Sequence, residues 1–106
     1  MAETDQTALA PLAKAVLEEV RQAYAALEEH GRGHTLFLDK LPLTPEERQT
    51  ILDFLGQGKV SIKIEDALEP AQWRETAFSG IWHGVYCNLQ DTPVLETIEI
   101  AWYPEL

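Results

Sequence analysis

The most reactive side chains of this chain belong to one histidine and the single cysteine, which stand close together in the sequence. His83 and Cys87 are four residues apart in a segment whose alternating pattern predicts a strand. Both side chains therefore share one face, but four residues of extended chain separate them by about 13 Å. They cannot share a metal ion, whose ligand bonds are roughly 2.0–2.3 Å long. We expect Cys87 to be a small buried residue and His83 to be half exposed.

Other residue types that could do chemistry lack the surroundings that the chemistry needs. His30 and His34 have the spacing of helical metal ligands, but two glycines lie between them, where a helix should already have ended. Ser79 lacks the Gly-x-Ser-x-Gly turn of a nucleophile. The sequence therefore predicts no catalytic residue, no metal ligands and no cofactor, although a site built from several chains escapes this argument.

Aromatic residues in the same predicted strand are better candidates for function. Trp82, Tyr86 and Asn88 share one face of that strand, and an apolar set shares the other. If helices cover the apolar face, Trp82 and Tyr86 lie on the open face, where exposed aromatic rings suit a binding platform. The alternative is that both rings fill the core or a homodimer interface. The candidate partner-binding residues are Trp82, Tyr86, His83 and Asn88.

Two helices precede the segments that predict strands. From Thr7 to Leu27 apolar residues recur at steps of three and four, and Gly31 closes this first helix. Thr44 followed by Glu47 predicts a capping box at the start of the second helix, which the next glycine ends. A short extended piece is expected between the two helices, at residues 35–39.

Beyond the second helix the hydrophobic period changes from 3.6 residues to 2. Short turns separate the predicted strands, which favours an antiparallel meander. The predicted fold is therefore α+β, with two N-terminal helices packed on one face of an antiparallel sheet of about four strands. Ile98, Ile100 and Trp102 are expected to face the core. The predicted strands are residues 60–65, 73–78, 81–88 and 94–103, and residues 66–72 are predicted to form a loop.

Composition narrows the class of protein. Among 106 residues, 8 Lys+Arg against 18 Asp+Glu give a net charge of −10, which opposes binding to nucleic acid or to an anionic membrane. The apolar fraction of 45% is enough for one domain, expected at residues 7–106 after a flexible tail at 1–6. No segment resembles a signal peptide or a membrane helix, so we expect a soluble, cytoplasmic protein. Most acidic side chains are expected on the side of the molecule that carries the helices and at the loop edge. The aromatic sheet face is then expected to be comparatively uncharged.

Six segments, taken in order, carry a resemblance to a known family. They are VLEEVR (16–21), LFLDKLPL (36–43), LGQGKV (55–60), ETAFSGIW (75–82), IEI (98–100) and YPEL (103–106). Together they resemble the hydrogenase expression/formation proteins of the HupH/HyaF type. The resemblance implies a chaperone-like accessory role in the maturation of nickel–iron hydrogenase, acting on the iron–sulfur small subunit, and it implies no catalytic residues.

The chain departs from that family in two respects. Longer members carry an additional region, so the chain resembles the C-terminal conserved domain standing alone. Some members have a Gly-Tyr-Gly and cysteine segment where this chain has residues 67–72, so no function of that cysteine is carried over. The partner is then expected to be the hydrogenase small subunit or another maturation protein. The alternatives are a homo-oligomeric structural or regulatory module, a metal carrier that uses histidines from several chains and, last, an enzyme.

Overall fold

The computed structural model describes residues 11–65 and 69–104. The predicted tail at 1–6, the predicted helix start at Thr7 and part of the predicted loop after residue 65 lie outside these residues. The elements are α1 (Pro11–His30), β1 (His34–Phe37), a 3-10 turn (Leu38–Lys40), α2 (Pro45–Leu55), β2 (Ser61–Ile64), β3 (Ala71–Glu75), β4 (Ile81–Cys87) and β5 (Pro93–Ile100).

Helix α1 has the apolar side that its sequence period predicts. Val16, Val20 and Leu27 are buried, while the glutamates between them are exposed or only partly buried. The helix ends at His30, and the Gly31 amide donates to the Leu27 carbonyl at 2.9 Å. Of the helices in the two described stretches, none has the length and apolar content to cross a bilayer.

Helix α2 begins at the predicted capping box, which is confirmed. The Thr44 hydroxyl accepts a hydrogen bond from the Glu47 amide at 3.0 Å, and the Glu47 carboxylate accepts one from the Thr44 amide at 2.8 Å. Pro45 occupies the first helical position, where its missing N–H has no partner to lose. These local contacts fix where α2 starts and therefore which residues it turns inward.

The sheet has five antiparallel strands in the order β1-β5-β4-β3-β2, so the α+β class is confirmed but the count of about four strands is wrong. The additional strand is β1, which overlaps the predicted extended piece at residues 35–37 and pairs with β5 at the sheet edge. Its partner is distant in the sequence, so no local pattern reveals the pairing. Strand β3 also differs, since it begins at Ala71 inside the predicted loop and ends at Glu75.

The two faces of the sheet carry different buried residues, and we name the faces after them. The core face carries Ile81, Ile98 and Ile100, which belong to one buried cluster with apolar residues of α1 and α2. The tryptophan face carries Trp73 and Trp82, which form a second buried cluster. The prediction that Trp102 faces the core is wrong, because β5 ends at Ile100 and the Trp102 side chain is 45% exposed.

Candidate functional site

On the core face, His83 belongs to an ionic network that joins α2 to the sheet. His83 Nε2 lies 2.7 Å from Glu96 Oε2, and the Arg48 guanidinium from α2 donates to both oxygens of the same carboxylate. The Glu96 amide in turn donates to Asp39 Oδ1 at 3.0 Å. One glutamate therefore fixes the positions of α2, β4, β5 and the 3-10 turn relative to one another.

The charge of Glu96 is balanced within the chain. Burial alone raises the pKa of Glu96, but hydrogen bonds from Arg48 and His83 and their charges outweigh burial, so the pKa is lowered. The hydrogen bond with Glu96 likewise raises the pKa of Arg48. Because the carboxylate is ionised, the shared proton of the His83 contact belongs to Nε2. This arrangement ties the imidazole to a structural role.

A polar cavity of about 290 Å³ lies beside this network. Its lining includes His83 and Arg74, which are paired across β3 and β4, and the acidic Asp53 of α2. The positive and negative groups are mixed, so the cavity favours no single ligand charge. Among the residues that the structure describes, no three His, Cys, Asp or Glu side chains come together as a metal site.

The other residues considered for metal or thiol chemistry lie apart. His34 pairs with Glu19 at 2.9 Å, and His30 approaches Glu29 at 3.8 Å. Cys87 is a partly buried free thiol at a register irregularity that follows Tyr86. These side chains make no common site within the described ranges.

On the tryptophan face the central polar group is Glu99, a buried carboxylate that is not among the candidate residues predicted from the sequence. One oxygen, Oε2, accepts hydrogen bonds from three neutral donors. They come from three strands: the Trp73 indole N–H at 3.0 Å, the Tyr86 hydroxyl at 2.6 Å and the Thr97 hydroxyl at 2.8 Å. Glu99 itself is only 4% exposed. The prediction of a comparatively uncharged aromatic face is therefore wrong.

Gly84 makes room for this network at the centre of β4. It pairs with Trp73 on one side and Thr97 on the other. A Cβ atom at Gly84 would lie 2.6 Å from the Thr97 hydroxyl and 3.0 Å from Glu99 Oε2. The absence of a side chain thus lets the carboxylate reach across β4 to the Trp73 indole on β3.

Of the four candidate partner-binding residues, Trp82, His83 and Tyr86 lie in β4 and Asn88 follows it. Trp82 and Tyr86 share the tryptophan face, and Trp82 is 3% exposed, so of the two alternatives its ring follows the one in which it fills a buried cluster. Its indole N–H donates to the Ala101 carbonyl at 3.1 Å. Asn88 holds the turn after β4, because its side-chain oxygen accepts from the amides of Gln90 and Thr92. None of the four is fully exposed.

Exposed aromatic rings occur instead on the other side of the molecule, around an apolar groove. The groove has a volume of about 220 Å³ and is bounded by α1, α2 and the start of β4. Phe54 and Phe78 are 58% and 44% exposed and stack with ring centroids 6.4 Å apart. We call this surface the aromatic groove. Its lining residues are Leu17, Val20, Arg21, Tyr24, Phe54, Leu55, Phe78 and Ile81.

The sequence gives only a weak signal for either surface. Phe78 was assigned to a strand, whereas it lies in the turn before β4, where its ring reaches Phe54 of α2. Glu99 lies between two fully buried isoleucines in β5. An acidic residue between two apolar residues of a strand is the sequence signal that indicates a polar network here.

A family profile and individual relatives with similar sequences all point to one protein family. The profile of the family described as "HupH hydrogenase expression protein, C-terminal conserved region" matches residues 11–106. The chain is 34% identical over 108 residues to the hydrogenase expression/formation protein HupH of Rhodobacter capsulatus, covering 95% of this chain. It is 32% identical over 73 residues to the hydrogenase expression/formation protein HoxQ of Azotobacter vinelandii, covering 69% of this chain.

A solved structure agrees with these sequence relationships. The hydrogenase expression protein HupH from Thiobacillus denitrificans ATCC 25259 superposes with a TM-score of 0.83 at 32% sequence identity. The match covers 91% of this chain and 79% of that one. By contrast, the chain spans only 25% of the length of the Azotobacter vinelandii protein and 38% of the Rhodobacter capsulatus protein.

Proposed function

Because the chain belongs to the family of HupH hydrogenase expression proteins, we propose that it is a non-enzymatic accessory factor in the maturation of nickel–iron hydrogenase. Its partner in this proposal is the iron–sulfur small subunit, with another assembly protein as the second choice. The names of its relatives as expression/formation proteins support the process. The surface that supports binding is the aromatic groove.

The aromatic groove has the composition of a protein-binding surface. Phe54 and Phe78 expose large rings beside a nearly apolar cleft, and Trp102 adds a partly exposed ring in edge contact with Tyr24. Aromatic residues at the centre of an interface supply much of the binding energy once water is excluded. This exposed aromatic cluster is the single observation that carries the proposal. It requires both helices to lie over the core face, as the shared buried cluster suggests.

Charge complementarity indicates what the groove binds. The protein has a net charge of −10, and the exposed Glu18 and Asp53 are neighbours in sequence of the groove residues Leu17 and Phe54. The groove's own cation, Arg21, is already paired with Glu18. We therefore propose that the occupant is a segment of the small subunit with an apolar anchor side chain between basic residues. Long-range attraction would speed its encounter with the acidic helices.

Trp82 has a different part in this proposal from the one that its spacing suggests. A tryptophan that is 3% exposed offers almost no surface to a partner, and its truncation would damage the fold. Trp82, Tyr86, His83 and Asn88 are therefore proposed to support the sheet, while the groove residues make the contact.

The test is binding of the purified small-subunit precursor to the native full chain and to Phe54→Ala. Loss of an exposed anchor ring is expected to weaken binding by at least about tenfold, which corresponds to roughly 1.4 kcal/mol. The matched control is Leu89→Ala, which removes a 69%-exposed apolar side chain after β4 and should leave the affinity unchanged.

Three outcomes contradict the proposal. Equal affinity of the native protein and Phe54→Ala removes the groove from the contact. Absence of saturable binding by the native protein removes the small subunit as partner. If light scattering instead shows a dimer that Phe54→Ala converts to a monomer, the groove is an interface between copies, as in the homo-oligomeric alternative.

A further inference from the structure

Within residues 11–65 and 69–104, no cation pairs with the carboxylate of Glu99, which differs in this respect from a typical buried carboxylate. Its three hydrogen-bond donors are an indole and two hydroxyls. None of the ion pairs in the described part of the chain involves Glu99. A buried carboxylate is normally paired with a cation as well as hydrogen-bonded. The neutral donors provide hydrogen bonds to the Glu99 carboxylate but do not balance its charge.

All three donors use the same oxygen, which leaves Oε1 for another group. Among the described residues, every hydrogen bond to the Glu99 side chain is accepted by Oε2. Within the described residues, no buried side-chain oxygen or nitrogen lacks a hydrogen-bond partner. Oε1 therefore reaches solvent, although the residue as a whole is 4% exposed. The three donors hold Oε2 in place, and this fixes the direction in which Oε1 points.

A cavity gives a ligand room to approach Glu99. It has a volume of about 420 Å³, and its lining includes Glu99, Thr35, the 82%-exposed Tyr103 and His34, whose imidazole is paired with Glu19. Thr35 lies directly opposite Glu99 in the β1–β5 pairing, so its hydroxyl is on the same face. A cation here would have a carboxylate oxygen, a hydroxyl acceptor and an aromatic ring within one small space.

We propose that Glu99 and Thr35 form a binding site for the ammonium group of a lysine side chain from a partner protein. The single free oxygen selects lysine over arginine, because a guanidinium binds carboxylates best through both oxygens at once. An ammonium is a compact point charge that bonds to one oxygen and supplies the counter-charge that Glu99 lacks among the described residues. The site is independent of the aromatic groove and of the identity of the hydrogenase partner.

The experiment is a titration of the full native chain with the peptide acetyl-Gly-Lys-Gly-amide, followed by NMR. The indole N–H signal of Trp73 is the reporter, because this group donates directly to Glu99 Oε2. A saturable shift is expected with the lysine peptide and none with the same peptide carrying norleucine, which has no charge. The arginine peptide is expected to bind more weakly than the lysine peptide.

Two variants localise the effect. Glu99→Gln should weaken binding of the lysine peptide by at least about tenfold, since the amide carries no negative charge to attract the ammonium group. Glu75→Gln removes the same charge from the same face and should bind like the native protein.

The proposal is overturned if the norleucine and lysine peptides shift the Trp73 signal equally, if no shift saturates, or if Glu99→Gln binds like the native chain. If circular dichroism shows that Glu99→Gln does not fold, the lysine and norleucine peptides are compared on the native chain alone. That comparison still shows whether the site binds an ammonium group. Success of this test and failure of the small-subunit test would leave the lysine site in place, since the two use different surfaces.

Discussion

Two glutamates of β5, Glu96 and Glu99, lie three residues apart on opposite faces of the sheet and are stabilised in opposite ways. Glu96 has two basic partners, Arg48 and His83, and its pKa is lowered. Glu99 is surrounded by neutral donors that converge on one oxygen. Glu96 on the core face therefore has its own counter-charges, whereas the described contacts of Glu99 on the tryptophan face are hydrogen bonds from neutral groups. This difference separates a structural carboxylate from one that is able to accept a foreign cation.

The largest effect is expected from Gly84→Ala, which disturbs the tryptophan face directly. The added methyl would come within 3.0 Å of Thr97, Glu99 and Trp73, so the three-donor network must shift. We expect the free energy of unfolding to fall by about 3 kcal/mol in urea titration. The control is Val85→Ala at the next, half-buried position on the core face, expected to cost about 1 kcal/mol. An equal loss in both variants would show that the network tolerates the methyl.

The next largest effect is expected from Glu96→Gln, which leaves Arg48 and His83 without their carboxylate. The free energy of unfolding should fall by about 2 kcal/mol, because the lost hydrogen bonds involve charged groups. Glu99→Gln should cost only about 1 kcal/mol, because an amide oxygen still accepts from neutral donors. Chemical denaturation measures the free energy of unfolding of both variants. A larger loss in Glu99→Gln than in Glu96→Gln would contradict the roles assigned to the two glutamates.

The pH dependence of stability tests the role assigned to Glu96. The pKa of Glu96 is lowered from its ordinary value of 4.5 in the folded protein. Its contribution is therefore fully present above pH 4.5 and is lost as the pH falls through the lowered folded value. The difference in unfolding free energy between the native protein and Glu96→Gln should shrink below pH 4.5. A difference that stays constant down to pH 2 would contradict this assignment.

The smallest effect is expected from Tyr86→Phe, which removes one of the three donors to Glu99. The ring stays in edge contact with Trp73, with centroids 5.5 Å apart, so packing is kept. We expect a loss of about 1 kcal/mol. In the lysine-peptide titration, the variant should bind at least as tightly as the native chain, because Oε1 is unchanged. Abolished binding would show that the donors do more than orient the carboxylate.

Local features of this chain were predictable and distant pairings were not. The capping box of Thr44 and Glu47 involves residues three apart, so both partners are visible in one short segment. The strand β1 and the Glu99 network depend on which strands become neighbours. The contact between Trp73 and Glu99, for example, crosses β4 at a glycine. A pattern read along one strand shows which face a residue occupies but not what stands opposite it.

Exposure was the second property that the pattern could not give. Trp82 occupies the predicted face, yet alternation alone does not show whether that face is open. The aromatic groove was missed for the related reason that Phe54 and Phe78 come from a helix and a turn. Their ring contact exists only once α2 lies beside the β3–β4 connection.

The position of β5 has a consequence for how the protein comes to be folded. This strand lies between β1 and β4 in the sheet but follows both in the chain, and its Ile98 and Ile100 are completely buried. Pairing β1 with β5 closes a loop of about 60 residues, a large contact separation that slows folding. During synthesis, α1, α2 and β1 therefore leave the ribosome before the strand that completes their core. A nascent chain halted before residue 93 would expose the apolar sides of both helices and be a target for general chaperones.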